Sequence, residues 1–215
     1  TSANTNTASG STSGECAAGG GSDAISLGAG TYALALSGAG EDNNATGDLD
    51  ISADLTVGGA GAGSTVIDGG ALDRVLQITS GATVGISNVT ITNGSTSANG
   101  AGIYNRGTLT LTNTTITGNA STNGNSGGIY NYLATATLNS STVSNNTSLY
   151  DGAGIFKVGG TLTLTGSTVS GNTGRNSGGI KSDNGGTLTL TNSTVSGNNA
   201  EYGAGINNDA TLTVT

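Results

Sequence analysis

Gly154-Ile155, then Thr161-Leu162-Thr163-Leu164-Thr165, then Ser167-Thr168-Val169-Ser170-Gly171-Asn172 is one copy of a phrase that recurs from Gly100 to Asn207. Its anchor isoleucines are Ile103, Ile129, Ile155, Ile180 and Ile206, spaced 26, 26, 25 and 26 residues apart, and each follows a glycine. A second apolar column reads Leu111, Leu138, Leu164, Leu190 and Val214; a third reads Ile116, Val143, Val169 and Val195. A fixed period of roughly 20–50 residues marks stacked repeats, because one unit cannot bury its apolar face alone.

Inside each unit the apolar residues alternate with period two, as in Thr108-Leu109-Thr110-Leu111-Thr112. That is the pattern of a strand with one buried face, and no segment carries a helical stripe. Three short strands per unit, each aligned with its copy one unit later, predict an all-β parallel β-helix with coils about 4.8 Å apart. A βαβ arrangement would need helices of about a dozen residues between parallel strands, and the Gly/Asn/Ser connectors are too short. The slot two residues after the third column reads Gly118, Asn145, Gly171 and Gly197. Gly and Asn tolerate positive φ, so this slot is expected to be a left-handed corner. The next slot is always Asn: Asn119, Asn146, Asn172 and Asn198. Amides stacked this way can hydrogen-bond along the axis, so the column is expected to be a structural ladder.

Outward from the repeat, residues 1–22 are Thr, Ser, Asn, Ala and Gly without periodicity, which reads as an irregular leader. Residues 23–99 alternate in shorter runs and read as less regular coils of the same helix. Residues 100–215 hold the regular repeats, and Thr211–Thr215 stop inside a strand without a cap. That open end predicts either a longer array or a second copy stacked on it, since solenoid ends expose edge backbone and apolar columns. End-to-end stacking would make a homo-oligomeric filament.

Composition narrows the function. Thirteen Asp plus Glu stand against five Lys plus Arg, which argues against nucleic acid or an anionic membrane as partner. No run is long and apolar enough to suggest a membrane-spanning helix, and the start lacks the basic and apolar regions of a signal peptide. Cys16 is the single cysteine, so an intrachain disulfide is excluded.

The motifs resemble those of secreted bacterial right-handed β-helix repeat proteins, the group whose start carries a Cys-Ser-Leu-Arg-Glu-Ala segment (CSLREA-type). The matching residues are Gly28-Ala29-Gly30-Thr31-Tyr32, Gly47-Asp48-Leu49-Asp50-Ile51, Gly69 to Val75 and the Gly-Thr-Leu-Thr-Leu-Thr phrase. The Gly-Ala-Gly-Ile steps are similar to those of polymorphic outer-membrane adhesins. The resemblance implies a right-handed coil and an extracellular or cell-surface location. It departs at Cys16-Ala17-Ala18-Gly19, where the rest of the named segment is missing.

Few residues suggest chemistry. Asp48, Asp50 and Asp54 lie near Glu41 and Asp42, and alternate positions would put Asp48 and Asp50 on one outward face. This set reads as a solvated acidic face, with Ca²⁺, which takes six to eight oxygens, as the alternative. Lys157, Lys181, Asp151, Asp183 and Glu201 lie on neighbouring coils and could form surface pairs, but their registers do not match as a catalytic set would require. Tyr104, Tyr130 and Phe156 each follow an anchor isoleucine and should stack outside, as coil support or as a contact ladder for sugar rings or a neighbouring subunit. Two hydroxyl arrays are expected outside, one with Thr110/Thr112, Thr137, Thr163/Thr165, Thr189/Thr191 and Thr213/Thr215, the other with Thr115/Thr117, Thr142/Ser144, Thr168/Ser170 and Thr194/Ser196. Exposed strands favour Thr, and such ladders also resemble the faces of ice-binding proteins. The sequence therefore predicts a non-enzymatic extracellular structural or adhesive solenoid without a cofactor. A carbohydrate-binding or polysaccharide-degrading β-helix is the first alternative, and ice binding the second.

Overall fold

A computed structural model describes residues 23–38, 40, 44 and 46–215. The chain winds as a β-solenoid whose strand pairings are all parallel among the described residues, each strand against its counterpart one coil away. Three long sheets run along the axis. The wide sheet has eight strands, from Asp23–Leu27 through Thr108–Thr112 to Thr211–Val214. The anchor sheet has seven, from Leu49–Ile51 through Ile103–Asn105 to Ile206–Asn208. The third also has seven, from Gly30–Ala33 through Thr115–Thr117 to Thr194–Ser196. A fourth, three-stranded sheet of two-residue strands (Ser95–Thr96, Ala120–Ser121, Thr147–Ser148) adds a corner that the sequence pattern does not announce. Its strands are too short to show an alternation.

Columns form because the registers align like with like. Leu111 pairs with Ile86 and Leu138, Ile129 with Ile103 and Ile155, and Val143 with Ile116 and Val169. All these side chains but Ile86, at 2%, are fully buried. Burying such a side chain stabilises the fold by roughly 1.5–3 kcal/mol, and here each one caps the neighbour above and below. The less regular stretch joins the same columns, since Leu55 and Val57 pair with Val84 and Ile86.

Corners are set by backbone handedness. The residues of the predicted corner slot have φ of +67° (Gly118), +54° (Asn145), +66° (Gly171) and +61° (Gly197). A second left-handed corner, between the wide and third sheets, falls at Asn88, Asn113, Ser140, Gly166 and Asn192. The glycine before four of the five anchor isoleucines, all but Gly205, has a different cause. A Cβ on Gly128 would lie 2.3 Å from the Gly154 carbonyl oxygen of the next coil, so close stacking excludes a side chain there.

At the first coil the core opens into a cavity of about 520 Å³ lined by Ile25, Leu27, Leu55, Val57, Leu76 and Ile86, among others. At the last coil Leu212 and Val214 are exposed and Val195 and Ile206 are partly buried.

Candidate functional site

The asparagine column turns inward. Nδ2 of Asn119, Asn146 and Asn172 donates to Oδ1 of the next asparagine at 3.0, 3.0 and 2.9 Å, ending on Asn198. That same Oδ1 accepts the backbone N–H one coil back, as from Asn119 to Asn146 at 3.0 Å. The second amide hydrogen of Asn146 reaches the Ile116 carbonyl at 3.0 Å. Asn119, Asn146 and Asn172 are buried, and every polar atom of the amide has a partner. The amides thus satisfy corner backbone that has no place in a sheet ladder.

A second inward polar column stands at the corner between the anchor and wide sheets. Asn105, Asn131, Lys157 and Ser182 occupy one register, and all four are fully buried. Asn105 donates to Asn131 at 2.6 Å, and Asn131 donates to the Ala134 carbonyl at 2.9 Å. Lys157 corrects the surface-pair expectation: its ammonium is inside, donating to the carbonyls of Gly159 (3.2 Å) and Gly185. Burial lowers its pKa, with the charge of Asp183 opposing. The register explains the error, because Lys157 sits two residues after Ile155 and so shares its inward face. Of the other charges, Lys181 pairs with Asp209, Arg175 lies 3.8 Å from Glu201 on the surface, and Asp151 accepts from Asn176 at 3.5 Å.

The aromatic ladder forms outside the anchor sheet. The Tyr104–Tyr130 and Tyr130–Phe156 ring centroids are each 5.4 Å apart, and Tyr132 stacks on Tyr130 at 6.0 Å. The ladder is nevertheless covered, for Tyr130 and Phe156 are each only 7% exposed. Backbone runs over it: a Cβ on Gly100 or Gly152, both at positive φ, would meet Cβ of Tyr130 or Phe156 at 2.8 Å. Desolvation pushes the Tyr130 phenol up to about 12. A contact ladder open to sugars or a neighbour is therefore corrected to a buried brace; Gly100 meets a ring residue thirty positions away, Tyr130, while Gly152 meets Phe156 four positions on.

The acidic residues do not assemble. Asp48 and Asp50 are buried rather than solvated. Arg74 Nη1 donates to Asp48 at 2.9 Å and to Gln77 at 2.7 Å, and its guanidinium lies 5.1 Å from the centre of the Tyr104 ring. Burial raises the Asp48 pKa, against the lowering effect of Arg74. Asp50 is held by Asn44, whose backbone N–H donates to its carboxylate at 3.2 Å. Asp54 is exposed elsewhere and accepts from the Thr83 N–H at 2.7 Å. Among the described residues no three His, Cys, Asp or Glu side chains are grouped to hold a metal ion, which corrects the Ca²⁺ alternative for this trio. Cys16, Glu41, Asp42 and the 1–22 leader lie outside the described residues.

Two faces are left with hydroxyls. On the wide sheet the outward columns are Thr108, Thr135, Thr161 and Thr187, then Thr110, Thr137, Thr163 and Thr189, paired coil to coil without a slip. The first of these columns was missed in the sequence reading, although its spacing was visible. On the third sheet Thr115, Thr142, Thr168 and Thr194 align in the same way. No helix among the described residues is long and apolar enough to cross a membrane.

A family model described as the right handed beta helix region matches residues 73–215. No curated protein and no solved structure matches the chain.

Proposed function

The chain belongs to the right-handed β-helix family, and from that premise we infer that it serves as a non-enzymatic extracellular scaffold, a structural or adhesive solenoid that stacks end to end. The observation that carries this reading is where the ionisable groups are spent. Arg74 is tied to Asp48, Lys181 to Asp209 and Lys157 to backbone carbonyls. Acid–base catalysis needs a poised pair facing a cleft, and these groups face each other or the backbone instead.

Stacking is supported by the apolar cavity at the first coil. A second copy offers apolar chemistry in one of the two columns, since Val214 carries onward the column that ends at the first coil in Ile25, while Leu212 lies on the column that ends in Asp23. A contact of this kind repeats without closing and builds a filament. Electron microscopy across a concentration series is the test: filaments or strings of particles are expected, and single particles at every concentration remove the stacking. Incubation with acidic polysaccharides should release no unsaturated products, with or without Ca²⁺; release would overturn the non-enzymatic reading.

A further inference from the structure

We propose that the wide sheet binds ice through its outward threonine lattice. This role goes beyond the scaffold reading and does not depend on stacking.

The first observation is regularity. From Thr83–Ser87 to Thr211–Val214 the sheet runs through six strands whose registers never slip, so outward positions form straight files along the axis. One file is threonine at every coil, from Thr83 through Thr108 to Thr211, and its neighbour is threonine from Thr110 to Thr213. Files lie about 6.7 Å apart along the strand, and rungs about 4.8 Å apart along the axis.

The second is that the hydroxyls are uncommitted. Thr114, Ser141 and Ser167, which turn inward at the corner, all bond backbone carbonyls. Thr110, Thr137, Thr163 and Thr189 make no such bond and face solvent. The third is the segregation of charge. None of these six strands contains Asp, Glu, Lys or Arg. A charged group would impose its own hydration shell on the surface.

Water chemistry links the three. Two water oxygens bonded to a common third, at about 2.75 Å and tetrahedral geometry, stand about 4.5 Å apart. The rung spacing of about 4.8 Å lies within about 0.3 Å of this repeat, so successive hydroxyls can each take a lattice position in turn. Each threonine also carries a methyl on the same carbon as its hydroxyl, which adds apolar surface to the face, and water over such surface orders readily. The amide ladder and apolar columns hold the lattice rigid beforehand, so little conformational freedom is lost on binding.

The test uses the full chain in ice-saturated buffer, reading thermal hysteresis and crystal shape. The wild type is expected to separate freezing from melting and to facet the crystals. The double variant Thr137→Lys/Thr163→Lys is expected to lose both effects, while Thr142→Lys/Thr168→Lys on the third sheet keeps them. Circular dichroism melting shows that each variant is folded, and Thr137→Val/Thr163→Val provides a milder change should the lysine variant unfold. Absence of hysteresis in the wild type, or equal loss from both faces, overturns the proposal. The scaffold reading would survive either result, since microscopy tests it separately.

Discussion

Asn146 shows how much a single side chain does in this fold. Its Oδ1 accepts two hydrogen bonds from Asn119, and its Nδ2 donates to Asn172 and to the Ile116 carbonyl. Asn146→Ala leaves two buried donors of Asn119 without that acceptor, and each unsatisfied group costs roughly 1–3 kcal/mol. We therefore expect a loss of about 3 kcal/mol in denaturant unfolding; a change within error would show that water replaces the amide. Lys157 makes a prediction about pH. Its folded pKa is lowered by burial, so the unfolded chain holds the proton over a range where the folded chain does not. Stability then rises with pH between the folded value and about 10.4, the unperturbed lysine. Measured against Lys157→Met, the wild type should gain stability on going from neutral to alkaline pH, and parallel profiles would count against a buried ammonium. Tyr130 has the opposite sign. Its phenol is pushed up to about 12, so its contribution is complete below about 10 and lost as pH rises through the folded value. Ultraviolet titration should show one tyrosine ionising well after the exposed ones, and Tyr130→Phe should abolish that late step.

At the scale of one element, the glycine-isoleucine step fixes how closely coils approach. Gly102, Gly128, Gly154 and Gly179 each face a carbonyl of the following coil, at 2.6, 2.3, 2.7 and 2.3 Å from where a Cβ would stand. Gly128→Ala must spread two coils that backbone hydrogen bonds hold together, such as Ile129 N–H to the Gly154 carbonyl at 2.9 Å. Overpacking of this kind costs typically 1–3 kcal/mol. The melting temperature should fall, and more than for Gly185→Ala, where a Cβ meets nothing within 4 Å but the positive φ of +70° is strained. Equal effects would mean that handedness, rather than close approach, sets the cost. Anchor and column residues were legible in the sequence because their alternation is local. The contact of Gly100 with Tyr130 was not, because it joins one coil to the next across thirty residues.

For the whole molecule, each coil touches mainly the ones before and after it, so stability should be close to a sum over coils and their interfaces. Removing one whole coil, residues 142–167, joins Ser141 to Thr168, the register partner of Thr142. The shortened chain should keep its β-sheet circular dichroism and a cooperative melt at somewhat lower temperature. Removing half as much puts apolar residues on the wrong corners and should abolish the melt; survival of that second variant would contradict the column model. Charge is distributed at this scale too. The wide sheet's threonine strands are uncharged, while the Arg74–Asp48 and Lys181–Asp209 pairs lie on or beside the anchor face, several coils apart.

The sequence by itself determined the coil, its period and its inner columns, because a strand's alternation and a fixed spacing are local properties that any reader of the chain can align. Tertiary structure alone decided what lies behind the surface. The parity of Lys157 with Ile155 was already in the sequence, but the Gly185 carbonyl that receives its ammonium comes from the next coil, Asp48 met Arg74 across 26 residues, and Gly100 closed over Tyr130 from the coil before. Those outcomes depend on which segments meet after the chain has wound, and on how far a polar group can reach a partner once water is gone.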